Sequence, residues 1–140
     1  MKQPALDELL TYENPGVVSY FTHHNPTFSL NASRQLFTDL LGWLWLNALR
    51  QQKNCPTYFF GPLLPMDDMW HAFILHSRDY VSFCERYFDG YFHHNIEPIG
   101  MEHQLAPEEI GDFLYDCFEY LGEQWVIRYF GEALPVILEP

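Results

Sequence analysis

The chain has 140 residues, 48% hydrophobic and 18% aromatic, enough for one packed core and too apolar for a disordered segment. Nineteen acidic against seven basic residues give a formal charge of -12, which repels phosphate backbones and anionic lipid and so argues against direct nucleic-acid or membrane binding. Three cysteines, Cys55, Cys84 and Cys117, form no C-x-x-C pair, which argues against a disulfide framework or a four-thiolate zinc site and suits a reducing compartment.

Pro4, with Asp7 and Glu8 in a first turn, predicts a short helix over 5–12, ended by Asn14-Pro15-Gly16. Residues 17–30 lack a regular period and are broken by Pro26, so a loop is predicted, with one extended or helical turn at 17–21. From an N-cap at Asn31 or Ser33, the residues Leu36, Phe37, Leu40, Leu41, Leu44, Trp45 and Ala48 recur at three and four. That spacing is one buried helix face, fraying at 51–54 before Cys55-Pro56. Tyr58-Phe59-Phe60 reads as a short extended piece, and Gly61-Pro62 with Pro65 as a rigid connection.

Asp67 and Asp68 then open a helix with Trp70, Phe73, Ile74, Tyr80, Val81, Cys84 and Phe88 as apolar positions, Ser77 as a second cap inside it and Asp89-Gly90 as its stop. A long loop containing histidine and proline follows over 91–106. Pro107, Glu108 and Glu109 start another helix carrying Ile110, Phe113, Leu114, Cys117, Phe118 and Leu121; Gly122 breaks it, a last piece spans 123–130, and 135–140 is extended. The reading is all-α: one compact helical domain over 1–140, a bundle of about five helices. The stretch Tyr20-Phe21-Thr22-His23-His24-Asn25 is echoed by Tyr91-Phe92-His93-His94-Asn95. No signal peptide is visible, and the longest apolar run, around 40–46, is too short to cross a bilayer, so a cytoplasmic location is expected.

Most of the unusual chemistry lies in residues 66–98, where Asp67, Asp68, His71, His76, Cys84, His93 and His94 fall together. Imidazole and carboxylate are common ligands for a transition metal such as zinc or iron. On a regular helix His71 and His76 lie about 140° apart, so one straight helix cannot aim both at one ion; a break at Ser77 relaxes this. Asp67 and His71, four residues apart, share a face, and His93 and His94 on the loop can approach them. The candidate metal set is therefore Asp67, His71, His76, His93 and His94. Against it, His76 also suits a cap at a helix C-terminus, and Cys84 suits a core position. His23, His24 and His103 show no partners in the sequence.

Asp67-Asp68-Met69-Trp70-His71, with Leu75-His76, Tyr80, Cys84 and the later His93-His94, resembles the core motif of the glycine-rich domain-containing protein-like family over residues 66–98. Where some relatives carry a second histidine, this chain has Phe73. The resemblance implies helical structure and joins Trp70, His71, Tyr80 and Cys84 into one unit, with Trp70 and Tyr80 as binding residues; it implies no reaction.

No phosphate-binding glycine loop, nucleophile elbow or dinucleotide fingerprint is present, which points away from an enzyme. The first functional expectation is a small acidic interaction module, an accessory or inhibitory subunit that meets a protein partner, a basic one by charge. The alternative is a metal-binding protein or metal-dependent enzyme using the histidines of residues 70–95. A further alternative is an acidic mimic of nucleic acid.

Overall fold

The computed structural model describes residues 1–95, 99–100 and 103–131. Among them no strand occurs, so the all-α class holds, and no helix is long and apolar enough to cross a membrane. The chain divides into two compact units, Met1–Tyr91 and Phe92–Pro140, taken here in turn. The tail expected over 135–140 and parts of the 91–106 loop lie outside the described residues.

The first unit carries α1 (Leu6–Leu9), α2 (Pro15–His24), α3 (Leu30–Gln52), a 3-10 turn at Gly61–Leu63, α4 (Leu64–Leu75) and α5 (Ser77–Phe88). Seven α-helices among the described residues, where about five were expected, have two local causes. The first is Asn14-Pro15, expected as a stop. The Asn14 side-chain oxygen accepts from the Val17 N–H at 3.1 Å and Pro15 occupies the first turn, so the same residues start α2 where a loop was predicted. The second is His76, whose ψ of 65° takes it out of helical conformation and splits the helix expected from Asp67 to Phe88 into α4 and α5. The break falls one residue before Ser77, which is the first residue of α5.

Ser29, rather than Asn31 or Ser33, caps α3; its Oγ accepts from the Ala32 N–H at 3.0 Å. Ser33 is buried within the helix. At 23 residues α3 is about 35 Å long. It packs against α1, α2 and α4. Its middle is accordingly buried on every side: Leu40, Leu41, Trp43, Leu44, Leu46 and Ala48 are all core residues, each large aliphatic worth roughly 1.5–3 kcal/mol of burial. Trp45, expected on the buried face, is half-buried and donates its indole N–H to the Pro4 carbonyl at 2.7 Å. α5 stops at Asp89, which sits in left-handed conformation at φ 51°.

The second unit carries α6 (Pro107–Asp116), a π-helical segment (Cys117–Leu121) and α7 (Glu123–Phe130). Glu109 supports the start of α6: one carboxylate oxygen accepts from the Ala106 N–H at 3.1 Å. Phe113, Leu114, Cys117, Trp125, Val126 and Phe130 are buried. The wider π turn shifts the register after Asp116, so Phe118, expected on the apolar face, is exposed. Gly122, at φ 94°, makes the corner into α7, a conformation that a side chain would strain.

Candidate functional site

The inner face of α4 is apolar: Met66, Met69, Trp70, Ala72 and Phe73 are buried. Helical period therefore leaves Asp67, Asp68 and His71 outward, Asp67 half-buried and the other two exposed. Asp67 and His71 are one turn apart, and the His71 Nε2 lies 3.8 Å from the Asp67 Oδ1. The structure thus brings together two of the residues expected to hold a metal. Each turns one ligand atom, a carboxylate oxygen and an imidazole nitrogen, toward the same small volume.

Beneath this face lie the residues that resemblance joined to His71. The Trp70 Nε1–H donates to the Tyr80 hydroxyl at 3.0 Å, entirely inside the core. Trp70 also lies 5.3 Å from Trp43, and Tyr80 meets Phe73 edge-on at 5.0 Å and Tyr91 at 5.3 Å. Burial, with the Cys84 thiol beside it, pushes the Tyr80 phenol well above its ordinary range, so it stays neutral while it accepts from Trp70. Trp70, Tyr80 and Cys84 are all buried, so they hold α4 from inside while its outer face carries Asp67 and His71.

His76 is occupied elsewhere. Its Nδ1–H donates to the Ala72 carbonyl at 2.8 Å, capping the end of α4, and its ring meets Tyr20 edge-on at 5.4 Å. Among the described residues, the grouping of ligand atoms around Asp67 and His71 does not include it. The physical reason is angular: five residues on a helix turn a side chain to about 140° from His71. In the second unit His93 is exposed and His94 half-buried, both in an irregular segment.

Two features were not readable from spacing. Tyr20 lies between His24, at 4.4 Å, and His76, and His24 meets His23 edge-on at 5.1 Å. The cluster depends on α2 and α4 being neighbours, which no local pattern announces. His103, for which the sequence offered no partner, places its Nε2 2.7 Å from the second carboxylate oxygen of Glu109. A signal existed here: a glutamate in the first turn of a helix started by Pro107 turns back toward the residues just before that helix.

Comparison with known proteins adds one result. No curated protein and no solved structure matches the chain. One family model does match, over residues 9–110, which takes in α2 to α5 and with them the whole Asp67-to-Cys84 motif. With more than half its length matched, the chain belongs to the UCP032817-like family.

Proposed function

We propose that this protein binds a transition metal of the zinc or iron class through Asp67, His71 and His94. The observation that carries the reading is the 3.8 Å between Asp67 Oδ1 and His71 Nε2. Two ligand atoms, each about 2.1 Å from a tetrahedral ion, stand roughly 3.4 Å apart, so a few tenths of an ångström of side-chain adjustment suffices. The third ligand rests on chain reach. Tyr91 is anchored on Tyr80, and His94 follows three residues later, so its backbone lies within about 10 Å of Tyr91. One carboxylate and two imidazoles form a set that zinc and non-haem iron both accept, and three protein ligands leave a position open for water or substrate. His93 is the alternative third ligand. The motif's resemblance to the glycine-rich domain-containing protein-like family, through Trp70, His71, Tyr80 and Cys84, belongs to the same proposal. The test is metal analysis of untagged protein. One equivalent of zinc or iron, lost in His71→Ala and in Asp67→Asn, is expected; substoichiometric metal that His71→Ala leaves unchanged sinks the reading.

A second reading, an accessory or inhibitory module for a basic protein partner, has its own support. In the second unit Tyr115 is 68% exposed, Phe118 55% and Ile127 45%, large apolar groups in solvent on a chain of charge -12. Capture of a defined basic partner that weakens with salt, and that Phe118→Ser abolishes, is the expected result. If no stable partner is recovered from native lysate at any salt concentration, the module reading is abandoned.

A further inference from the structure

We propose that the cavity between α2 and the first half of α3 is a binding site for a free α-amino acid with an apolar side chain. The cavity measures about 410 Å³ and lies wholly in the first unit, lined among others by Tyr12, Glu13, Val18, Leu30, Arg34 and Phe37. That volume is within the range of small-molecule sites, roughly 300–1,000 Å³.

The charges on its wall are what select the ligand. Arg34 is one of only seven basic residues in a chain with nineteen acidic ones, yet among the described residues it makes no ion pair. Its guanidinium reaches only the Asn31 side-chain oxygen, at a long 3.4 Å. Glu13 is likewise without an ion pair or hydrogen bond among the described residues, although it shares the cavity with Arg34. A cation and an anion facing one small volume and not meeting each other match a ligand that carries both charges on neighbouring atoms.

Tyr12 is fixed at the cavity edge: its hydroxyl accepts from the Asn14 side-chain amide at 3.1 Å, and the same amide donates to the Asp79 carboxylate at 3.0 Å. Val18 and Phe37, both buried, and Leu30, exposed at the rim, give the wall its apolar side chains, beside the polar Asn14, Ser19 and Thr38. Carboxylate on Arg34, ammonium on Glu13 and side chain on Val18 and Phe37 answer both charges and the apolar part of the wall. A peptide interior lacks both charges, and a simple fatty acid leaves Glu13 unanswered.

The test is calorimetric titration of the full chain with L-phenylalanine and L-leucine, alongside N-acetyl-L-phenylalanine, L-phenylalanine amide and glycine. Binding of at least one of the first two with Kd of about 1 mM or tighter is expected. Removing the ammonium, the carboxylate or the side chain should each weaken it about tenfold or more. In Arg34→Gln the amino acid should bind no better than its amide binds the unaltered protein, and in Glu13→Gln no better than the N-acetyl derivative. Both positions are exposed, so unchanged thermal midpoints confirm that the variants fold. Absence of binding by both amino acids at about 10 mM, or binding that neither substitution weakens, overturns the proposal.

Discussion

The stretches Tyr20-Phe21-Thr22-His23-His24-Asn25 and Tyr91-Phe92-His93-His94-Asn95 are nearly the same string in two different conformations. The first is the last turn of α2, finished by the Asn25 side-chain amide donating to the Phe21 carbonyl at 3.0 Å. The second is irregular and follows Gly90, after the left-handed Asp89 has ended α5. Both expose the tyrosine and bury the phenylalanine. What differs is upstream: Asn14 and Pro15 have already started a helix before Tyr20, whereas Asp89 has just terminated one before Tyr91. Identity of side chains therefore sets what is buried, and the flanking caps set the backbone.

Seven substitutions break or sharpen this contrast. The shared feature should show the largest effect: Phe21→Ala and Phe92→Ala, at positions 1% and 2% exposed, should each cost about 3–5 kcal/mol in denaturant unfolding, alike despite the different backbones. Next comes metal, where the strings should part. His94→Ala should weaken zinc or iron binding about 100-fold, in the range seen when a metal site loses a supporting group, while His24→Ala leaves it unchanged; equal losses would tie both strings, or neither, to the metal.

The ring under each leading tyrosine gives a smaller difference. Tyr91 rests on Tyr80, and Tyr80→Phe leaves the buried Trp70 N–H without its acceptor, at about 1–3 kcal/mol. The same variant should reduce the alkaline sensitivity of the fold. The folded-state pKa of Tyr80 is raised, so its contribution is complete below the unfolded value of about 10 and is lost as pH climbs past it. Tyr20 rests on His76, whose substitution by Ala removes one cap and should cost only about 0.5–1 kcal/mol. Asn14→Ala is of similar size, about 1 kcal/mol, but should lower helicity at the first string alone, checked by amide chemical shifts of α2.

The helices were legible where apolar residues recur at three and four: α3 from Leu36 to Ala48, the two helices joined at His76, and α6. α2 was hidden because Asn-Pro-Gly serves equally as a stop and as a cap followed by a first-turn proline, and only the neighbours of Val17, Val18 and Phe21 decide between them. The register slip at Cys117–Leu121 had no sequence mark that separates it from an ordinary turn, and Phe118 moved outward with it. At the site, Asp67 with His71 was readable because helical spacing alone puts them on one face. Glu13 and Arg34 were not, since twenty-one positions separate them and only the packing of α2 on α3 places both on one cavity.

The break at His76 is one residue wide and bridged from both sides. The Ala72 carbonyl is held by its ring, the Tyr80 N–H by its own carbonyl at 2.9 Å, and Trp70 reaches across to the Tyr80 hydroxyl. Two helices stitched in this way cannot open separately without orphaning a buried indole. Their amide protons should therefore exchange with deuterium as a single cooperative block, so that any motion at the outer face of α4 is borne by side chains over a backbone that does not yield.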